Sequence, residues 1–194
     1  MAGTLHGFGL GVASKNAKGD VLDVFYPAPL ANISGDLVSI FDGVSGELKA
    51  TEIRALSDGL RSAGEHSLAD IAVRLSEAGR PVVASLLADN AAPQTVADAY
   101  LKLHLLSHRL IKPHGTDLTG MFALLPNVAW TDEGAIDLAE LADRQLTSRL
   151  KGRVLEVASV DKFPKMTNYV VPSGVRIAHT ARVRLGAYLG SGTT

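Results

Sequence analysis

VPSGVR, IAHTAR, VRLGAY and LGSGTT divide the stretch from Val171 to Thr194 into four hexads without remainder. Each opens on an aliphatic residue (Val171, Ile177, Val183, Leu189) and carries a compact residue fifth (Val175, Ala181, Ala187, Thr193). A helix repeats every 3.6 residues and a free strand every 2, so neither produces a strict six. Short strands stacked coil on coil in a β-helix do produce it. The leading aliphatic then enters the narrow interior, the compact fifth residue occupies the bend, and the second and third positions face outward. The competing reading is an edge strand plus a loop punctuated by Gly174, Gly186, Gly190 and Gly192; a register held at two positions favours the repeat. Four hexads make little more than one three-sided coil, whereas about three or more stacked repeats are needed to bury a core. The run is therefore expected to begin a longer coil. If ordered, it should rest on its own N-terminal domain, on a symmetry mate or on further chain.

No comparable repeat precedes Val171. Phe8–Ser14 and Val21–Tyr26 flank KNAKGD and read as a β-hairpin. A short helix is expected over Asp36–Asp42, and a better one from Thr51 to Gly64, with Ile53, Leu56 and Leu60 on one face. Ser67 with Asp70 resembles a capping box for a third helix ending near Gly79. Pro81 introduces VVASLLA, short enough for a buried strand. The longest helix should run from about Pro93 to Leu110, apolar around most of its circumference and so buried on more than one side. LTGMFALLPNVAW predicts a short helix broken by Pro126, then a strand. Asp137 should cap a helix running to Leu150, with Gly152 as its stop, before a strand over Arg153–Val160. This alternation predicts an α/β layer domain over residues 1–150, possibly of two subdomains, a linking strand and loop over 151–170, and hexads over 171–194.

Composition narrows the function classes. With 194 residues the chain can bury about 70% of its unfolded surface, and 46% hydrophobic against 20% charged residues is ordinary for a globular protein. The net charge of −1 supplies no global field for nucleic acid or an anionic membrane. Absence of cysteine excludes disulfides and thiolate metal sites and fits a reducing cytoplasm. MAGTLHGFGLG has no basic region followed by an apolar one, so no signal peptide is expected. No run approaches the ~20 apolar residues of a membrane span.

Few local motifs carry chemistry. His104 and His108 share a helix face at the spacing zinc sites use, but Leu105 stands where the zincin pattern needs Glu; packing at a helix C-terminus is the simpler reading. Gly7, Gly9 and Gly11 form GxGxG without the strand–turn–helix context of a dinucleotide loop, so close approach within a hairpin strand is expected. Asp132 and Glu133 read as first-turn charges at a helix N-terminus. There is no GxSxG elbow or P-loop.

Longer words are more specific. SVDKFPKMTNYVVPSGVRIAHTARVRLGAYLGSGTT (Ser159–Thr194), AYLKLHLLSHRLIKPHG (Ala99–Gly115), LLPNVAWTDEGAIDLAEL (Leu124–Leu141) and, more loosely, FGLGVASKNAKGDVLDVFYPAPL (Phe8–Leu30) resemble tetrahydrodipicolinate N-succinyltransferases of the long pseudomonad and actinobacterial form. The resemblance implies an N-terminal α/β layer domain leading into the first coil of a left-handed parallel β-helix, in a cytoplasmic homotrimer. It also implies succinyl-CoA as co-substrate, a small dicarboxylate as acceptor and no covalently bound cofactor. The family's acid/base carboxylate would fall beyond Thr194, so no catalytic residue is assigned and the isolated chain is expected to be inactive. Some members place an acidic residue toward a metal on the trimer axis; Ala181 stands at that position, so no metal is expected. Arg176, Arg182 and Arg184 should all point away from the coil interior, and Arg184 is the candidate to grip a substrate carboxylate with its planar fork. Two alternatives remain open: a non-catalytic assembly and substrate-access domain, or part of another hexapeptide enzyme such as a serine acetyltransferase, which the long upstream words disfavour.

Overall fold

Strand β1 (Leu5–Lys15) alternates glycine with bulk, and that alternation organises the domain around it. A computed structural model describes residues 4–194; residues 1–3, the start of the segment read for a signal peptide, lie outside it. Successive side chains of a strand face opposite sides, so Phe8 and Leu10 enter one apolar core while Gly7, Gly9 and Gly11 line the other face. β1 pairs antiparallel with β2 (Val21–Phe25), β3 (Leu30–Ile33) and β5 (Val82–Leu87), and β4 (Gly46–Glu47) closes the far edge in the order β2-β1-β5-β4.

Helices cover both faces. On the Phe8 side lie α1 (Asp36–Phe41), α2 (Ala50–Ser62) and α3 (His66–Ser76), with the Phe8 and Phe41 rings stacked at 3.9 Å. The third helix starts one residue before the expected cap: Glu65 is its N-cap without a side-chain bond, and Asp70 instead accepts from Arg61 of α2 at 2.6 Å. Ser67 therefore caps nothing, and the Arg61 pair uses the carboxylate that a capping box would require.

The glycine face receives α4 (Val96–Ser107). A Cβ on Gly9 would lie 2.8 Å from Leu101 Cδ1, and one on Gly7 would lie 2.9 Å from Leu105 Cδ1. The GxGxG string is thus a close-approach surface, as its sequence context indicated. Thr95 starts the helix with a reciprocal box: its hydroxyl accepts from the Asp98 N–H at 3.1 Å, and the Asp98 carboxylate accepts from the Thr95 N–H at 3.0 Å. Ten of the twelve residues of α4 are buried, and each fully buried Leu contributes about 1.5–3 kcal/mol. It is the central strut of the molecule.

A second antiparallel sheet, in the order β7-β6-β8, stands beside the first. It follows a short helix, α5 (Met121–Leu124), and comprises β6 (Val128–Thr131), β7 (Gly134–Asp137) and β8 (Val157–Asp161). Between β7 and β8 runs α6 (Leu138–Leu150), capped as expected by Asp137, whose carboxylate accepts from the Ala139 N–H at 2.9 Å. Asp132 and Glu133 occupy the β6–β7 turn, not the first turn of a helix. Asp132 accepts from the Glu156 N–H at 2.9 Å and Glu133 from Arg144 at 2.8 Å, so the pair ties the turn to β8 and α6.

The hexads lie against the strut. None of residues 171–194 is in a ladder strand; Arg184 forms an isolated antiparallel bridge with Lys165. Ile177, Val183 and Leu189 are half-buried against the core that contains α4, whereas Val171 is 61% exposed. Leu185, at a third position expected to face outward, is 2% exposed because it turns toward the domain; Pro172, at a second position, is also buried. Arg109 Nε donates to the Leu189 carbonyl at 2.6 Å, and the Ser107 hydroxyl bonds two further hexad backbone groups. The ordered run rests on its own N-terminal domain.

Candidate functional site

Arg184 does not project freely. Its Nε and Nη2 converge on Oδ2 of Asp161 at 3.0 and 2.9 Å, and its Nη1 donates to the Ala181 carbonyl at 2.8 Å. Both partners are about a third exposed, so the pair is half-screened and contributes at most about 1 kcal/mol. The guanidinium lines an open, mainly apolar groove of about 660 Å³ with Leu103, Phe122, Phe163 and Arg182. Arg176 and Arg182 are exposed, as expected. Ala181 is exposed and offers only a methyl side chain, and its carbonyl is engaged by Arg184, so this position does not fit a metal.

His104 is fully buried. Nδ1 lies 2.8 Å from the Tyr100 carbonyl and Nε2 lies 3.3 Å from the Tyr26 N–H. The neutral ring therefore donates from Nδ1 and accepts at Nε2, which leaves no lone pair for a metal. Burial is the main reason its pKa falls to about 4. His108 stacks on it at 5.9 Å and is also lowered by burial, while His114 is exposed on the following turn. His104, with both ring nitrogens engaged, thus packs rather than ligates, and the spaced pair lacks the two free nitrogens a metal would need.

A cleft of about 480 Å³ opens between the two sheets, lined among others by Asp23, Phe25, Trp130, Glu156, Lys165 and Tyr169. Asp23 projects from β2, Trp130 from β6, and Lys165 and Tyr169 from the linking segment. The Tyr169 hydroxyl donates to Asp23 Oδ2, and Trp130 Nε1 donates to the Asp161 carbonyl at 2.9 Å. Burial, then the nearby Asp23 charge, raises both the Tyr169 and Tyr100 hydroxyls well above the usual phenol range. They stay protonated donors at neutral pH. The cleft thus combines aromatic walls with carboxylate, ammonium and hydroxyl groups.

Sequence reading had not singled out Asp23, Lys165 or Tyr169. Asp23 alternates on its strand like any solvent-facing residue, and its contact with Tyr169 spans 146 positions, beyond any local pattern. Lys102 was missed for the same reason. Its place on a nearly all-buried helix was the available signal. Its ammonium, whose pKa burial lowers, donates to Thr116 Oγ1 at 3.1 Å and Asn90 Oδ1 at 3.3 Å, pinning the segment after α4.

Comparison with known proteins places these features in context. The sequence model of a family described as tetrahydrodipicolinate N-succinyltransferase, middle, matches residues 125–165. A 2,3,4,5-tetrahydropyridine-2,6-dicarboxylate N-succinyltransferase of Pseudomonas putida is 54% identical over 201 residues, covering 100% of this chain and 58% of the relative. Its counterpart from Vibrio cholerae is 47% identical, covering 96% of this chain and 57% of the relative. The counterpart from Salinispora tropica is 43% identical, covering 96% and 54%. The crystal structure of a chain from Campylobacter jejuni described as a 2,3,4,5-tetrahydropyridine-2-carboxylate N-succinyltransferase superposes with a TM-score of 0.85 at 24% identity. It covers 97% of this chain and 56% of that one, which shows a shared fold. The chain spans somewhat more than half the length of the curated relatives it matches. The similarity to these relatives runs through 96–100% of this chain.

Proposed function

We propose that this chain is the leading portion of a tetrahydrodipicolinate N-succinyltransferase, which moves succinyl from succinyl-CoA to the amine of ring-opened tetrahydrodipicolinate in diaminopimelate and lysine synthesis. The observation that carries this reading is the 54% identity to the Pseudomonas putida relative, sustained over the whole chain. In the transfer the amine nitrogen attacks the thioester carbonyl, a carboxylate takes the amine proton, and CoA departs as the thiol. Backbone donors hold the oxyanion of the tetrahedral intermediate. The base belongs to following repeats, and this chain supplies the α/β domain and the start of a left-handed β-helix. Hydrogen bonds three hexads apart support the coil: the Gly192 N–H meets the Gly174 carbonyl at 2.7 Å, and the Arg176 N–H meets the Thr193 carbonyl at 2.9 Å.

The same reading assigns a cytoplasmic homotrimer, succinyl-CoA as a dissociable co-substrate and no axial metal. In it Arg184 leaves or shares Asp161 to take a carboxylate of the dicarboxylate acceptor, since its fork already grips one carboxylate in a half-exposed setting.

A second reading, a non-catalytic assembly and access domain, is favoured by the bonds from Ser107 and Arg109, which fasten the hexads to α4. It describes the isolated chain and is compatible with the first reading for the whole protein. The test is succinyl-CoA-dependent acylation of a tetrahydrodipicolinate analogue by the 194-residue chain and by a version extended through the following repeats. Turnover by the longer chain alone supports both readings; turnover by neither overturns the first.

A further inference from the structure

Thr116 is held from two sides through one hydroxyl. Lys102 of α4 donates to Thr116 Oγ1 at 3.1 Å, and Nε2 of His6 on β1 lies 3.1 Å from the same oxygen. Lys102 is 0% exposed and Thr116 only 7%. An ammonium can only donate, so Thr116 Oγ1 accepts from it and the single hydroxyl proton is left for His6. His6 Nε2 then accepts, which places the ring proton on Nδ1 and requires a neutral imidazole. Thr116 Oγ1 has no third partner among the described residues. Asn90 completes the junction, its Oδ1 accepting from Lys102 at 3.3 Å and from the Asp117 N–H at 2.7 Å. One polar cluster thus joins β1, the β5–α4 connection, α4 and the segment after α4.

Protonation of His6 would upset this order twice. The new Nε2–H would face a hydroxyl whose own proton then lacks an acceptor, and a second cation would stand beside a buried ammonium. Asp89 faces His6, and Asp117, Asp89 and Asp98 face Lys102, so carboxylates offset part of the repulsion. Burial first, then Lys102, still holds the His6 pKa below its ordinary 6.5 against the pull of Asp89. The folded junction therefore prefers the neutral ring, a preference that is whole above pH 6.5 and fades as pH falls below it. Thr116, Asp117 and Thr119 also line, with Gly186 and Tyr188 of the hexads, an open groove of about 600 Å³. We propose that His6, Thr116 and Lys102 form a pH-operated latch that holds residues 112–119 against α4 while His6 is neutral and loosens them when the ring takes a proton. The groove wall loosens with them. The inference rests on this junction alone and does not depend on the acyl transfer proposed above.

The reporters are the Gly115 and Asp117 amides, which donate to the Lys112 carbonyl and to Asn90. Hydrogen exchange of the 194-residue chain would be followed at pH 7.5 and pH 5, corrected for the intrinsic pH dependence of exchange. Protection of these two amides should fall about fivefold or more at pH 5. His6→Gln keeps a neutral acceptor and cannot take a proton, so it should abolish that fall while leaving the acid response of His104 in place. Thr116→Val should lower protection of the same amides at both pH values, with little pH dependence left. A long-range proton–nitrogen spectrum of the unaltered chain requires no variant to fold. In it His6 should carry its proton on Nδ1 at pH 7.5 and titrate below 6.5. A proton on Nε2 at pH 7.5, a midpoint at or above 6.5, no acid loss of protection at Gly115 and Asp117, or an undiminished loss in His6→Gln would each overturn the proposal.

Discussion

Ser107 at the end of α4 holds Ala187 through one hydroxyl: Oγ donates to the Ala187 carbonyl at 3.1 Å while accepting from the Gly186 N–H at 2.8 Å. Two consecutive backbone groups of the hexads thus depend on one buried oxygen of the helix.

Ser107→Ala should strand a donor and an acceptor and cost about 1–3 kcal/mol. For a chain of this size the melting temperature would fall by roughly 2–4 °C per kcal/mol. Hydrogen exchange should locate the loss: the amides of residues 185–189 lose protection first, while the central strand keeps its own. Uniform loss across the sheet would contradict a local clamp.

Gly9→Ala tests the close approach of β1 and α4. The new methyl would lie 2.6 Å from Tyr26 Cδ1 and 2.8 Å from Leu101 Cδ1, contacts that force the neighbours to shift at a cost of about 1–3 kcal/mol. Removing part of the clash in Gly9→Ala/Leu101→Ala should leave the pair less destabilised than the sum of the single changes. Strict additivity in denaturant melts would mean that the faces are not in contact.

His104 predicts acid sensitivity. Its folded pKa of about 4 lies below the unfolded 6.5, with burial as the first cause. The unfolded chain therefore binds the proton more readily. The stabilisation is whole above pH 6.5 and is lost as pH falls from there toward 4, totalling about 3 kcal/mol. His108 and His6, both lowered mainly by burial, act in the same direction. Urea midpoints at pH 7 and pH 4.5 should differ accordingly, and His104→Gln should flatten the difference. An imidazole NMR titration with a midpoint near 6.5 for His104 would refute this account.

Arg184→Gln separates a binding role from a structural one. The half-exposed pair with Asp161 predicts a stability loss within about 1 kcal/mol. In a chain extended through the following repeats, KM for the dicarboxylate acceptor should rise about tenfold or more, with kcat little changed. Unchanged KM would remove Arg184 from the binding groups.

Elements set by local pattern were readable in the residues. The β1–β2 hairpin, the buried length of α4 and the Asp137 cap each follow from spacing within a few residues. The second sheet was less legible because its strands are four or five residues long and its turn residues Asp132 and Glu133 also suit a helix start. Ser67 and Asp70 fit a box by type, but Arg61 from the neighbouring helix captured the carboxylate. Leu185 broke the outward expectation at third hexad positions because that expectation followed from the hexad's own interior alone, whereas here Leu185 packs into the core that contains α4. The cleft was invisible beforehand: Asp23 and Tyr169 acquire meaning only when distant parts of the chain meet.

The bonds that run from α4 into the hexads bear on how a solenoid begins. In stacked-repeat proteins each unit is stabilised by its neighbours, and the terminal unit needs a cover for its open end. In the β-helix proposed here, the N-terminal domain would be that end cap. Its long helix would offer Leu103 and Ser107 as the surface on which the first coil condenses, so that later coils extend a template instead of nucleating alone. Cutting the domain away would then remove the seed of the coil as well as a neighbour.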